Sequence, residues 1–254
     1  LKYVPREQPP PEPSDTPAKE GGPLQFLFYF ILTFLVPYLL VITLLHYLPI
    51  DIIPDKLEDK MGQWMLKESK DSPSPSTVEI QKILKSITPN QPRMPLSARV
   101  IEDPAINAAA YPGGRLVIYR GLYDLLDTEA QKTAVLAHEV GHSELNHYGY
   151  RLSTALALIP FNWALNLAGL GQLDAVSEYL FLSFSRSEER ACDEFSAKIL
   201  WKKYGSLQGA IDAYDHLKSA GIDSKLLKYS SSHPLTQERI DHFKYLEKEW
   251  NSMK

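Results

Sequence analysis

This chain has almost no sulfur chemistry available. Its one cysteine, Cys192, cannot form an intrachain disulfide, and a single thiol rules out any zinc knuckle built on paired cysteines. Any bound metal must therefore be held by histidine and carboxylate. Basic runs are equally scarce. None is longer than Lys202-Lys203, and 27 Lys+Arg against 31 Asp+Glu leave a net charge of −4, so the electrostatic footprint of a nucleic-acid binder is missing. No Gly-rich phosphate loop follows a strand and no internal repeat is present, which removes nucleotide-dependent and solenoid designs. At 254 residues, one catalytic domain of ordinary size with a small appendage fits the length.

Charge is also absent from one long stretch. Leu24 to Leu48 contains no Asp, Glu, Lys or Arg, and as a helix its 25 residues would reach roughly 37 Å against a hydrocarbon core of about 30 Å. The segment is expected to span a bilayer, with Tyr29 and Tyr47 near the two interfaces and Pro37 kinking the helix without abolishing it. Ahead of it, residues 1–23 hold seven of the nineteen prolines and too little apolar surface to order, and so read as a disordered tail. The chain begins at Leu1, not Met, which leaves room for an upstream piece, and no signal peptide is assigned. Lys2, Arg6 and Lys19 on one side balance Lys56, Lys60 and Lys67 on the other, so charge alone does not orient the span.

Beyond the span, the chain divides into a helical linker region over 49–95 and a domain over 96–254. In the linker, 51–70 and 78–87 read as amphipathic helices separated by the DSPSPS stretch at 71–76. Period-two patterning at 98–102, 107–111 and 115–120, with Pro112-Gly113-Gly114 between the last two, predicts a β-hairpin in a small sheet. The remainder reads as helix, giving a mainly α fold with a small β-sheet (α+β). The uncharged stretch 152–173 is expected to form a helical hairpin packed on the domain or lying at the membrane surface, with a second membrane span as the alternative. Residues 206–220 and 235–250 close the domain with Ile211, Tyr214, Leu217, Ile240, Phe243 and Leu246 facing inward.

The chemistry concentrates after Thr128-x-x-Gln131, a capping-box pattern that opens a helix. His138 and His142 are i and i+4 on it, so both imidazoles can reach one ion, and Glu139 sits beside that ion, where a base for water belongs. Composition alone predicts roughly 0.01 chance occurrences of His-Glu-x-x-His. A third ligand is still needed. His147 would point about 180° away if the helix persists, and a metzincin spacing fails because Leu145 and Tyr148 stand where Gly and His are required. Glu189 and Asp193, i and i+4 on a later helix, remain. Glu189 can complete a His₂Glu site, and Asp193 can accept the distal N–H of a ligand imidazole.

His138-Glu139-x-x-His142 followed by Ser185-Arg186-x-x-Glu189-x-x-x-Asp193, with Asn107-Ala108 ahead of Pro112-Gly113-Gly114 and His233-Pro234 six residues before Arg239-Ile240, resembles the gluzincin family of the CAAX prenyl endopeptidases, the HtpX heat-shock proteases and the Oma-type and BepA-type quality-control proteases. The resemblance covers about residues 96–245. It implies a zincin-like catalytic domain behind a transmembrane helix, and a zinc endopeptidase holding one Zn²⁺ per chain. By the same resemblance His138, His142 and Glu189 are the metal ligands, Glu139 is the general base and acid, and Asp193 supports a ligand from behind. His233 would donate to the developing oxyanion with Arg239 as helper or anchor, and Asn107, Ala108 and Ala109 would lie on the strand that binds an extended peptide. One departure is Cys192, where the family usually has Ala, expected to be a packing detail.

The expected partners are protein or peptide substrates and membrane lipid through residues 24–48, with no nucleic acid; a homo-oligomer stays open. Substrates would be misfolded, misassembled or regulatory membrane or envelope proteins. Single-anchor relatives often work on the envelope side, which favours a bacterial inner-membrane protein with a periplasmic catalytic domain, or the mitochondrial inner membrane in a eukaryote. The competing reading is a non-catalytic, membrane-tethered adaptor or chaperone that keeps a structural metal site; Glu139 argues against it, because a structural site needs no base.

Overall fold

The computed structural model describes residues 22–47, 54–66, 74–155, 159, 184–223, 233 and 237–253. Residues 1–21 of the expected tail and most of the stretch 152–173 lie outside the described residues, while Pro23, placed in that tail on sequence, opens the first helix. The chain divides into two compact units, residues 1–44 and 45–254.

In the first unit, α1 (Pro23–Phe30) runs through a π-helical turn (Ile31–Leu35) into α2 (Val36–Tyr47). The widened turn lies just before Pro37, whose ring lacks an N–H and crowds the carbonyl four residues back. Pro23–Val41 has a mean hydropathy of 2.1 and none of its residues is buried, so this helix is long and apolar enough to cross a membrane.

The second unit begins with α3 (Asp55–Met65) and α4 (Pro75–Ile87). Ser74 caps α4 by accepting from the Thr77 N–H at 3.3 Å, with Pro75 in the first turn. Ile80, Ile83, Leu84 and Ile87 form one apolar stripe buried in the same core as Val135 and Leu136, each contributing about 1.5–3 kcal/mol over the exposed state. The boundary drawn at residue 96 on sequence therefore falls between elements that share one core.

Three strands form the sheet, in the order β1-β3-β2: β1 (Ser97–Ile101) pairs parallel with β3 (Arg115–Tyr119), and β2 (Ala108–Tyr111) antiparallel with it. The hairpin turns on Pro112, Gly113 and Gly114, and both glycines have positive φ (78° and 71°), where a β-carbon would be strained. The buried Glu58 of α3 accepts the Gly113 N–H at 3.1 Å and the Arg93 guanidinium, so α3 is pinned to this turn. β2 has no strand on its outer side among the described residues.

Behind the sheet lie α5 (Arg120–Leu125), α6 (Glu129–Glu144), α7 (147–155), α8 (Arg186–Tyr204), α9 (Gln208–Asp223) and α10 (Gln237–Ser252). α6 is buried on every side. Val135, Leu136 and Val140 face the sheet and α4, while Ala134 packs with Leu200, Tyr214 and Phe243 from the last three helices. A helix enclosed on all sides is a central element, and this position places the polar groups that α6 carries in the interior.

Candidate metal centre

Two capping boxes set the helices that meet here. Thr128 and Gln131 exchange side-chain and backbone bonds at the start of α6, and Ser185 and Glu188 do the same at the start of α8. The helices pack closely because Gly141 offers no side chain: a β-carbon there would lie 3.2–3.3 Å from Cα, Cβ and Sγ of Cys192. That approach brings His138, Glu139 and His142 of α6 against Glu189 and Asp193 of α8, all of them buried.

Four groups converge. One ligating atom from each of His138, His142, Glu189 and His233 falls within a common 4.8 Å. The Nε2 atoms of His138 and His142 are 3.2 Å apart, and each lies 3.5 Å from an oxygen of Glu189. A tetrahedral zinc with bonds of about 2.0 Å separates its ligand atoms by about 3.3 Å, so the donor set fits that ion in kind and in spacing. His233 comes closer than the sequence implied. Its Nδ1 is 2.9 Å from Glu189 Oε1 and 3.3 Å from His138 Nε2, and its Nε2 is 3.5 Å from Glu139 Oε1.

Each α6 imidazole is held from behind. His138 Nδ1 lies 3.0 Å from Asp193 Oδ1. His142 Nδ1 lies 2.9 Å from His147 Nδ1, and the His142 ring stacks on Phe184 with centroids 3.8 Å apart. This corrects the reading of His147 as pointing away. The α6 helix does not persist: it ends at Glu144, Asn146 takes φ = 57°, and the reversal swings His147 beneath His142. Asparagine just past a helix end is a known carrier of the left-handed conformation, which is the signal that could have found it.

The two glutamates are treated differently. Glu139 is fully buried, and neither of its carboxylate oxygens has a hydrogen-bond partner among the described residues. Glu189 and Asp193 instead share Arg239, whose Nη1 is 2.6 Å from Glu189 Oε2 while Nε and Nη2 grip Asp193 at 2.8 and 2.7 Å. Tyr214 Oη accepts from Arg239 Nη2 at 2.8 Å and donates to Asp193 Oδ1 at 3.2 Å. Sequence patterning found Tyr214 only as an apolar inner-face residue; a hydroxyl on a buried tyrosine needs a partner, and that need was the available clue.

Electrostatics follow this wiring. Burial disfavours charge on His138, but the Glu189 and Asp193 carboxylates outweigh it and raise its pKa to about 9. Burial takes His142 well below the usual imidazole value, and the neighbouring His138 adds to the effect, since two cationic rings cannot sit this close. Glu189 is driven far below the carboxylate range: burial opposes its charge, but His138 and the other imidazoles overwhelm that. Asp193 is lowered against burial by Arg239 and His138. Burial and then the Glu189 and Glu139 carboxylates push the Cys192 thiol well up. Cys192 Sγ lies 3.6 Å from His147 Nδ1, but a protonated thiol is a poor metal ligand.

Ala108 and Ala110 of β2 are buried and Ala109 is half-buried, and β2 packs against α6. Asn107 precedes the strand: its carbonyl accepts the Tyr119 N–H at 3.0 Å, and its side-chain oxygen is buried without a partner among the described residues.

Residues 77–247 match the model of peptidase family M48. Over 185 residues the chain is 29% identical to mitochondrial metalloendopeptidase OMA1 of Schizosaccharomyces pombe, covering 65% of this chain and 51% of that protein. Over 202 residues it is 28% identical to metalloprotease LoiP of Escherichia coli K12, covering 74% and 78%. With the β-barrel assembly-enhancing protease of Yersinia pestis it shares 26% identity over 166 residues, 59% of this chain and 34% of that one. The chain thus spans about half the length of the OMA1 protein.

Proposed function

The chain belongs to peptidase family M48, and from that premise we propose that it is a membrane-anchored zinc endopeptidase in which His138, His142 and Glu189 hold the ion and Glu139 handles the proton. The observation that carries this is the donor triangle of 3.2, 3.5 and 3.5 Å with a buried carboxylate beside it that has no hydrogen-bond partner among the described residues. A lone buried carboxylate is costly, and this cost is repaid where it meets a cation and a water. Bound there, zinc supplies Lewis acidity, polarising the scissile carbonyl and making water acidic near neutral pH.

The protein's own groups do the rest. Glu139 takes the proton of the attacking water on a carboxylate oxygen and returns it to the leaving amide nitrogen. His233 offers a ring N–H to the developing oxyanion. Asp193 fixes the orientation of His138, and Arg239 neutralises Asp193 and Glu189 together, which makes it a positioning residue. The Asn107–Ala109 segment and the outer edge of β2, unpaired by any strand among the described residues, receive the substrate backbone as an added strand. Residues 24–48 anchor the chain, and the substrates are misfolded, misassembled or regulatory membrane or envelope proteins. The compartment favoured is the bacterial periplasm, at the inner membrane, or the mitochondrial inner membrane in a eukaryote.

The test is Glu139→Gln in purified, zinc-loaded protein. Turnover of casein or a peptide should fall at least about 10²-fold, the low end for general acid–base catalysis, with zinc content unchanged. Full activity with intact zinc would sink the mechanism.

A further inference from the structure

The two metal-facing imidazoles of α6 are oriented by different chemistry, and only one of the two is of a usual kind. Behind His138 stands a carboxylate, Asp193. Behind His142 stands another imidazole, His147, at 2.9 Å between Nδ1 atoms, with both rings buried. A bond between two ring nitrogens needs one donor and one acceptor. His142 directs Nε2 into the donor cluster, 3.2 Å from His138 Nε2 and 3.5 Å from Glu189 Oε1. For Nε2 to offer a lone pair, the His142 proton must sit on Nδ1. His147 Nδ1 is then the acceptor, and its own proton is on Nε2; this tautomer is assigned from the network.

We infer that His147 is a positioning residue for the metal site, a neutral imidazole that accepts the Nδ1–H of His142 and thereby fixes the tautomer and ring angle with which His142 meets the ion. The inference rests on the proposed zinc site and adds to it a residue outside the ligand set. Three further features support it. The reversal at Asn146, with φ = 57°, is what delivers His147 to this point, so the backbone departs from the helix at the place the contact requires. Cys192 Sγ lies 3.6 Å from the same Nδ1, where sulfur can donate or accept, so this contact packs the His147 ring in place without choosing its tautomer. Phe184 closes the other face of His142, leaving the ring one hydrogen-bonding neighbour at Nδ1 among the described residues.

The experiment compares zinc affinity, by competition with a chromophoric chelator, in the full chain and in His147→Leu and His147→Gln. Leucine fills the space and removes the acceptor, while the glutamine amide oxygen can accept from His142. Loss of such a partner typically costs about 10–100-fold in metal affinity. The expected result is a loss of that size in His147→Leu, recovery to within about 3-fold in His147→Gln on the same scale, and metal-free melting temperatures near wild type for both. His147→Ala removes the same acceptor and replaces the leucine variant if that does not fold. Wild-type affinity without the acceptor overturns the inference, and so does an equal loss in both variants, which would make the residue a packing element only. A wild-type chain that takes up no zinc, or a His142→Ala chain that keeps it, overturns the zinc site itself.

Discussion

Glu139 and Glu189 lie within one buried site, and the protein handles them in opposite ways. Glu189 is surrounded by Arg239, His138, His142 and His233, and its charge is fixed by them. Glu139 has no hydrogen-bond partner among the described residues. A carboxylate clamped by a guanidinium is held in one position, whereas one without fixed hydrogen-bond donors is left to meet an incoming water. The α8 side of the site is built to hold a charge still, and the α6 side leaves one free to react.

Arg239 gives the sharpest way to break this contrast. Arg239→Met leaves two buried carboxylates without their cation, and removing one partner of a buried ion pair costs about 3–5 kcal/mol. Urea denaturation of the metal-free protein should show that loss, while Glu139→Gln should unfold at or slightly above wild type, because the buried carboxylate it removes has no hydrogen-bond partner among the described residues and meets the His233 ring only at 3.5 Å. Equal destabilisation by the two would erase the distinction.

Asp193→Asn tests the fixed side more gently. The amide keeps the shape but loses the anion behind His138, and zinc affinity should fall about 10–100-fold. Chelator competition checks it, and no change would show that Asp193 only packs.

Acidity provides a third probe. Since the His138 pKa stands at about 9 in the metal-free protein, its ion pairing stabilises the fold fully below the unfolded value of about 6.5 and is lost as pH rises through 9. Metal must displace that proton, so zinc affinity should weaken by up to about tenfold per unit as pH falls below 9. Titrations between pH 6 and 9 would read the slope; a flat line would mean that His138 is already neutral.

The smallest effect is expected at the helix contact. Gly141→Ala forces a β-carbon to 3.2–3.3 Å from Cys192, and overpacking of this kind costs about 1–3 kcal/mol. Thermal melting should show it, with partial rescue by Cys192→Ala, which removes one of the three close atoms.

Much of this site was legible because its signals are local. The i, i+4 spacing of His138 and His142, the Thr128–Gln131 box and the Pro112-Gly113-Gly114 turn each lie within a few residues, and the structure has the helix and the hairpin where those signals place them. What escaped was decided by a single dihedral or by tertiary contact. Whether His147 faces the site depends on where α6 stops, and that depends on Asn146 taking one backbone well over another. Tyr214 carries the pattern of a core residue along α9, and only the arrival of α8 and α10 gives its hydroxyl partners. Arg239 lies 46 residues from Asp193 in sequence, beyond the reach of any periodicity, and entered the sequence reading only through the family resemblance, as a helper or anchor beside His233.

Under the proposed function, the edge of β2, which has no strand on its outer side among the described residues, has a consequence for selectivity. An unpaired strand edge presents N–H and C=O groups, which every amino acid shares, so a substrate added there is recognised by having its own backbone unpaired. Native proteins already pair theirs in helices and sheets. Such an edge would discriminate by the state of the client rather than by its residues: loosened chains qualify and intact ones do not. A proline at a position that must donate would be refused however unfolded the chain. A protease reading its substrates this way needs little sequence specificity, because structural damage in the client admits it to the site.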